Sequence, residues 1–464
     1  MSVRARARAA KPAALLLAAA TLLASCAPAP RSALPPAAPA PGITPAPLLP
    51  SPPPPPAPAN APFVLRAEPQ FDIGLGVDLD SLRLEGAAAL PLSWRAPGGE
   101  ERTERVDGAI RIRISGTQAV IEPLARSRAV PIAMLSSRDT LWVGDEHAAQ
   151  GNEASIQWNG RHWRGRFKVF FSPRGRLTVA SRMALERYLE GVVPGEIGAL
   201  KDSLLEAGRA QAIAARSYSL FYRGRRGSEG FDLYATVEDQ MYLPLESERP
   251  PATRCVRSTR GQTELSGGAP IRANYCSTCG GISAEAWEAW PTPPQPYLRA
   301  IADRGVGAGD HCALSPQYRW REEWSAGDFA GTVTRFAPQQ GLSLPSGGLG
   351  ELADVQVSAR SRSGRVWALR VVGTRGEITI PAYSIRQVLR RPGNTSAILR
   401  SNLFKIGVRR DGAGRPLAVL VSGAGSGHGV GLCQTGALAM ARGGADAPRI
   451  LAHYYPSAEL VRLY

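Results

Sequence analysis

The spacing of apolar residues divides the chain into strand-rich and helix-rich stretches. Between residues 63 and 180, short runs alternate apolar and polar positions between Gly, Pro and Asn, which is typical of strands with one buried face. From 204 to 223, apolar residues recur at helical spacing and predict a helix buried on one face. The pattern predicts an α+β fold that consists of a β-rich N-terminal domain (63–180), a mixed α/β region in two halves (181–325 and 411–464) and a β-rich insertion between them (326–410).

The first 62 residues have the composition of a leader and a tether. Four basic residues precede an apolar stretch that ends in Leu-Ala-Ser-Cys. This predicts a lipoprotein signal peptide (1–26) whose cleavage leaves Cys26 as a lipidated N-terminus, and an ordinary secretory signal is the alternative. Residues 27–62 are almost wholly Pro and Ala and predict a disordered tether. We therefore expect a lipid-anchored lipoprotein of the cell envelope, on the periplasmic or outer surface.

The chain is strongly basic. Its 55 Lys and Arg against 39 Asp and Glu give a formal net charge of +16, which indicates an anionic partner. The arginines are scattered, no RNA- or DNA-binding motif is present, and export separates the protein from nucleic acid. A wall glycan that carries lactyl and peptide carboxylates fits the expected compartment better.

One acid lies at a turn before the predicted helix. Pro194-Gly195 precedes Glu196 and Gly198 follows it, so this pattern predicts a loop. Loops on rigid scaffolds commonly carry reactive groups. Glu196 is therefore the candidate catalytic acid.

Polar residues on the predicted helix are the next candidates. Arg209 and Arg216 are seven residues apart and share a helix face, where either could hold Glu196 or an anionic ligand, or lie in solvent. Gln211 lies in an alanine-rich run, where a buried amide needs a hydrogen-bond partner. Near the C-terminus, alternate glycines surround His428, and glycine permits the close backbone approach that a ligand-lined turn needs.

The cysteines allow two interpretations. Cys276 and Cys279 form a CxxC, and His311-Cys312 follows, which is a plausible set of three sulfurs and one nitrogen for zinc. A Cys279–Cys312 disulfide is the competing interpretation, because export leads to an oxidising compartment. Without Cys26, an odd number of cysteines remains, so complete pairing is excluded.

Several ordered blocks together resemble one known family. They are EGVVPGEI and LLEAGRAQAIAARSYSL, ATVEDQMY, ANYCSTCGG, and GSGHGVGLCQTGALAMARGG followed by ILAHYYP. This series is similar to the stage II sporulation protein D and amidase-enhancer LytB family of peptidoglycan lytic transglycosylases. The sequence departs from the family's usual pattern at Thr435, where an aromatic residue is usual, at Cys433, where Ser is common, and at Cys276, where many members have His.

The resemblance implies a function and a set of site residues. A lytic transglycosylase cleaves the glycan after N-acetylmuramic acid to leave 1,6-anhydro ends, with one carboxyl group, here Glu196, acting first as acid and then as base. The expected partners are peptidoglycan strands and a cell-wall amidase, and the chemistry requires no cofactor, with structural zinc as an addition. The rivals are a non-catalytic enhancer of an amidase and a hydrolase with Asp239 as a second carboxylate. The implied substrate-binding residues are Arg209, Gln211, Arg216, Asp239, Gln240, Tyr275, His428 and Gln434.

Overall fold

The computed structural model describes residues 63–95, 99–124, 131–144, 155–305 and 309–464. The predicted signal peptide, the lipidated Cys26 and the predicted tether lie outside the described residues. Within the described part of the chain, no helix is both long and apolar enough to span a membrane.

The N-terminal part is a β-sandwich. Strands β1, β12, β11, β8, β3 and β4 lie side by side in one sheet, and the other sheet has the order β10-β9-β2-β5-β6-β7. Apolar side chains from both sheets, including Leu84, Leu92, Ile110 and Phe167, are fully buried in one core. This confirms the predicted β-rich N-terminal region. The strands are β1 (Gln70–Leu79), β2 (Ser81–Gly86), β3 (Leu90–Arg95), β4 (Glu101–Val106), β5 (Ala109–Ser115), β6 (Gln118–Pro123), β7 (Ala133–Leu135), β8 (Thr140–Val143), β9 (Ser155–Trp158), β10 (Arg161–Arg164), β11 (Arg166–Phe171) and β12 (Leu177–Ala184).

Helices begin where the sandwich ends. The elements are α1 (Leu185–Ile197), α2 (Leu205–Phe221), β13 (Leu233–Tyr234), α3 (Pro250–Ser258), β14 (Gln262–Ser266), β15 (Ala269–Pro270) and β16 (Tyr275–Cys276). Helix α2 is buried around nearly its whole circumference between Ala207 and Leu220, not on one face as predicted. Small residues permit this, since a Cβ at Gly208 would lie 2.4 Å from Leu200 and 2.7 Å from the sulfur of Cys255.

Residues 319–424 form a second packed unit, which we call the inserted unit. Its elements are β17 (Arg319–Ser325), α4 (Ala326–Phe336), β18 (Leu352–Arg360), β19 (Val366–Gly373), β20 (Gly376–Pro381), α5 (Ala382–Val388), β21 (Arg390–Arg391), β22 (Asn394–Ile398), β23 (Phe404–Arg410) and β24 (Pro416–Ala424). The sheets β17-β24-β23 and β18-β19-β20 share one core with α4 and α5. Because Trp320 on β17 pairs with Gly423 on β24, this core extends beyond both ends of the predicted insertion.

The C-terminal segment returns to the helical region. It contains β25 (Leu432–Cys433), α6 (Gln434–Arg442), α7 (Ala447–Tyr454) and β26 (Glu459–Arg462). Strand β26 pairs with β14, and β25 pairs in parallel with β16, so that Tyr275 lies beside Leu432 and Cys276 beside Cys433. The predicted α+β fold is confirmed, and this return of the chain brings the distant motifs together.

Candidate active site

Glu196 lies in the last turn of helix α1, and the predicted loop at this position is wrong. The helix continues through Pro194 to Ile197 and ends at Gly198, which has a φ of 77°. A Cβ at Gly195 would lie 2.4 Å from the Met241 carbonyl oxygen, so the missing side chain lets the 241–243 segment lie directly against the helix. Tertiary packing thus overrides the local tendency of Pro-Gly to form a turn.

The carboxyl group of Glu196 is held by two donors. The Met241 amide donates to Oε1 at 2.7 Å, and the Gln434 side-chain amide donates to Oε2 at 3.3 Å. Burial raises the pKa of Glu196, although the hydrogen bonds from Met241, Gln434 and Tyr275 each act to lower it. The site therefore favours a protonated carboxyl group, as a general acid requires.

Buried amides and hydroxyls extend this arrangement. Gln434 also donates to Gln211 Oε1 at 3.4 Å, and Gln211 itself is fully buried on α2. Gln240 donates to the Tyr275 hydroxyl at 2.8 Å and accepts from Ser219 at 2.7 Å. The structure thus brings together five of the sequence-derived candidates around one carboxyl group. They are Glu196, Gln211, Gln240, Tyr275 and Gln434.

Three other candidates have structural partners instead. Arg216 is fully buried and donates from Nε and Nη2 to the two oxygens of Glu186 at 2.8 and 2.7 Å. Arg209 lies at the surface of α2, where it pairs with Glu206 and contacts Ser258. Neither arginine makes a hydrogen bond or ion pair with Glu196.

Asp239, the second carboxylate of the alternative hydrolase, is the third candidate whose side chain has structural partners. Its oxygens accept from Arg225 at 2.9 Å, from Arg226 at 3.1 Å and from the Tyr234 amide at 2.9 Å. Both oxygens of the Asp239 carboxyl group therefore already have hydrogen-bond donors within the protein. This geometry disfavours Asp239 as the water-activating residue of a hydrolase.

His428 lies beside the carboxyl site, in a pocket of its own. Its Nδ1 accepts a hydrogen bond from the Val430 amide at 3.0 Å, and its ring packs on Trp290 with the ring centres 4.7 Å apart. Burial and the charges of Arg386, Arg272 and Arg365 lower the pKa of His428 to about 3. The imidazole is therefore neutral, with its proton on Nε2. Tyr275 links the carboxyl site to the His428 pocket. Its hydroxyl forms a hydrogen bond with Glu196, and its backbone carbonyl accepts one from the His428 ring.

The cysteines form a buried cluster that differs from the predicted ligand set. Ligand atoms of Cys279, Asp303, Cys312 and Cys433 all lie within 4.8 Å of one another. The Cys279 and Cys312 sulfurs are 3.6 Å apart, and the Cys279 thiol donates to Asp303 at 3.0 Å. All the described cysteines are free thiols. Hydrogen bonds from Cys279 and Cys433 lower the pKa of the Cys312 thiol, which favours a thiolate within the cluster.

Two members of the predicted ligand set lie outside this cluster. Cys276 adjoins Cys433 across the β16–β25 pair, and His311 lies next to His453, with which it shares Asp303 as a neighbour. The sequence reasoning missed Asp303, for which CxxC spacing gives no signal. Cys433 has no predicted role as a ligand, and the available clue to one is that it lies directly before Gln434.

Comparisons with known proteins agree with this site. Residues 173–264 match the family model described as Stage II sporulation protein, and residues 311–431 match a domain of unknown function. Residues 173–264 are thus similar to the Stage II sporulation protein domain, and the predicted resemblance is confirmed. Glu196 and the buried helix α2 lie within the first match, and the whole inserted unit lies within the second.

Individual relatives extend the similarity beyond that domain. The chain is 27% identical over 291 residues to Stage II sporulation protein D of Bacillus subtilis, a match that covers 60% of this chain and 74% of the relative. It is 26% identical over 295 residues to the Amidase enhancer of Bacillus subtilis, covering 59% of this chain but only 40% of that protein. An uncharacterized protein of Brachyspira hyodysenteriae is 25% identical over 294 residues, with 63% and 71% covered. The function of this protein is accordingly related to the cell wall.

Proposed function

We propose that this protein is a peptidoglycan lytic transglycosylase with Glu196 as its catalytic residue. The observation that carries the proposal is the state of that carboxyl group, which is half-buried, has a raised pKa and is oriented by Met241 and Gln434. Among the described residues, the hydrogen-bonded groups around it are amides and hydroxyls, with no second carboxyl group. One carboxyl group is enough for a lytic transglycosylase, whereas ordinary glycosidases use two.

In the first step, the Glu196 carboxyl group donates its proton to the glycosidic oxygen that leaves from C1 of N-acetylmuramic acid. In the second step, the resulting carboxylate takes the proton of the C6 hydroxyl as that oxygen bonds to C1 and closes the 1,6-anhydro ring. The donors from Met241 and Gln434 keep the carboxyl group in one orientation through both steps, and they stabilise its anionic form in between. No water enters the products.

Digestion of purified glycan strands with the full chain tests this proposal. Mass spectrometry is expected to find anhydro ends with the wild type and no cleavage with Glu196→Gln. Glu238→Gln is the matched control, since that side chain is 64% exposed. Reducing ends would indicate a hydrolase, and intact strands with the wild type would indicate a non-catalytic role; either result overturns the proposal.

We further propose that the cysteine cluster holds a structural zinc ion through Cys279, Asp303, Cys312 and Cys433. The donors fit the metal, because two sulfurs bound at ~2.3 Å to a tetrahedral zinc lie about 3.8 Å apart, close to the observed 3.6 Å between Cys279 and Cys312. When bound, the ion would supply a fixed scaffold and no acid–base chemistry. Metal analysis of the purified chain is expected to give one zinc per chain, and a Cys279–Cys312 disulfide in the mature protein would contradict this.

The remaining proposals concern location and partners. The signal sequence and Cys26 support a lipid-anchored protein of the cell envelope. The similarity to an Amidase enhancer supports an association with a cell-wall amidase. Radiolabelled fatty acid incorporated into the wild type and not into Cys26→Ala would test the anchor.

A further inference from the structure

A pocket of about 200 Å³ lies where the inserted unit meets the His428 turn. Its wall on one side consists of Glu288, Trp290 and His428, and on the other side of Arg365 and Arg386 from the inserted unit. Pockets for drug-sized ligands measure about 300–1,000 Å³. This pocket is therefore suited to a single functional group of a larger ligand rather than to a whole sugar unit.

The lining of this pocket contains donors without hydrogen-bond partners, next to two acceptors without partners, Gln387 Oε1 and Asn402 Oδ1. Arg386 donates from Nε to the Leu399 carbonyl at 2.8 Å, and no hydrogen bond to another described residue is found for its two terminal nitrogens. Burial lowers the pKa of Arg386 to about 10, so the guanidinium still carries its charge at neutral pH. Arg365 is 3% exposed. Its terminal nitrogens donate to Ser363 and to the carbonyls of Cys279 and Ile282, and only its Nε has no hydrogen-bond partner among the described residues. His428 adds no free donor, since its Nδ1 accepts from the Val430 amide and its N–H is directed to the Tyr275 carbonyl.

Glu288 is the one acid among the described residues that line the pocket, and its carboxyl group already has hydrogen-bond partners in the protein. Glu288 is 3% exposed and accepts hydrogen bonds from the hydroxyls of Ser361 and Ser363, of which the former is 2.6 Å long. Arg365 and Arg386 against Glu288 leave a formal excess of one positive charge in the lining. Arg272 adds another nearby, because its guanidinium lies 4.4 Å from the centre of the Trp290 ring. Arg365 is buried, whereas Arg386 and Arg272 are half-buried. An excess of positive charge that is partly removed from water favours the binding of an anion.

We propose that this pocket is a carboxylate-binding subsite for the glycan strand, with Arg386 as its principal donor. The two free terminal nitrogens of a guanidinium match the two oxygens of a carboxylate. The subsite is joined to the catalytic carboxyl group through Tyr275, which contacts both Glu196 and the His428 ring. It thereby gives the inserted unit a direct role in holding substrate. This inference rests on the proposed function for its ligand, a carboxylate of peptidoglycan from either the lactyl group or a stem peptide.

The test compares glycan strands that differ in their carboxyl groups. Strands without stem peptides carry free lactyl carboxylates, strands with stems carry only peptide carboxylates, and carbodiimide with ammonia converts either to neutral amides. With wild-type enzyme, KM is expected to rise about tenfold or more on amidation of the strand type whose carboxylate binds, with kcat nearly unchanged. The strand type that shows the effect identifies the source of the carboxylate.

Variants locate the effect in the pocket. Arg386→Gln is expected to raise KM for native strands by a similar factor and to abolish the difference between native and amidated strands. Arg386→Lys should retain part of that difference. Arg409→Gln is the control, because Arg409 is 56% exposed on the same unit. Should Arg386→Gln fail to fold, the amidation experiment with the wild type still decides.

The outcomes separate this inference from the proposed function. If cleavage gives anhydro ends but amidation of both strand types leaves KM unchanged, the subsite is refuted and the enzyme assignment stands. If no strand is cleaved, calorimetric titration of the same strands replaces KM. Weaker binding of amidated strands to the wild type, with no such difference for Arg386→Gln, would then support the subsite alone.

Discussion

Gln434 donates a hydrogen bond to Glu196 at 3.3 Å, although 238 positions separate the two residues in the chain. Gln434 is the first residue of α6, and Cys433, immediately before it, lies in the thiol cluster. Glu196, the proposed catalytic residue, therefore accepts a hydrogen bond from a residue that directly follows a member of the thiol cluster.

The first prediction concerns pH. Because burial raises the pKa of Glu196, its acid form persists above the usual range for glutamate, and cleavage should decline as pH rises through that raised pKa. The Gln434 hydrogen bond lowers this pKa, so Gln434→Ala should move the decline to higher pH while reducing the maximal rate. Single-turnover cleavage between pH 4 and 9 measures both effects. An unchanged alkaline limb in this variant would contradict the assignment.

The ionisation of Glu196 should also make the stability of the folded protein depend on pH. A carboxyl group whose pKa is higher in the folded state binds more protons there than in the unfolded state, so its contribution to stability falls as pH rises through the interval between the two values. Glu196→Gln should therefore raise Tm relative to the wild type at pH 8 and much less at pH 4. Glu238→Gln, at an exposed position, should show no such pH dependence.

The second prediction is that Arg216 stabilises the fold and does not bind glycan. Its ion pair with Glu186 is buried, and removing one partner of such a pair typically costs about 3–5 kcal/mol because the other charge is left uncompensated. Urea denaturation of Arg216→Met should show a loss of that order. The double variant with Glu186→Leu should recover part of it. A glycan affinity that falls in Arg216→Met without any loss of stability would instead indicate a binding role.

The third prediction concerns Gly431, which precedes β25. Its φ is 71°, and a Cβ there would lie 1.9 Å from the Asn274 carbonyl oxygen, so the backbone itself would have to move. Gly431→Ala should lower the free energy of unfolding by about 2 kcal/mol or more, and it should reduce kcat by displacing Gln434. Gly412→Ala is the control, since a Cβ at that exposed position meets nothing within 4 Å.

The fourth prediction concerns the thiol cluster. Chelation, or Cys433→Ala, should release zinc and lower kcat, because the start of α6 would lose its anchor. Glycan binding should change less, since no residue of the cluster lines the His428 pocket. Cys255→Ala is the matched control, because Cys255 is a buried thiol outside the cluster. Normal zinc content in Cys433→Ala would exclude it as a ligand.

The motifs and their periodicity predicted much of this molecule. Alternation identified the strands of the sandwich and the inserted unit, and helical spacing placed a buried helix at 204–223, close to the observed Leu205–Phe221. Alternation succeeds because it reports which face of a strand is buried, a local property. The ordered blocks also marked Glu196, Tyr275, His428 and Gln434 as members of one region.

Predictions from local sequence were wrong where contacts between distant segments determine the structure. The Pro194-Gly195 pair predicted a turn, but the 241–243 segment packs on the glycines of α1 and keeps the helix intact to Ile197. Spacing likewise proposed Cys276 and His311 as ligands, whereas the parallel β16–β25 pair brings Cys433 to Cys279 instead. Spacing along the chain constrains ligands only within one short segment.

By itself, the sequence determined the class of fold and the resemblance to the family, and it singled out Glu196 as the candidate acid, because each depends on residue types at short spacing. Only the tertiary structure decided that Arg216 holds Glu186, that Asp303 and Cys433 complete the thiol cluster, and that Arg386 lies opposite His428. The physical reason is that burial and partnership are properties of three-dimensional neighbours, and these neighbours come from segments that the chain keeps far apart.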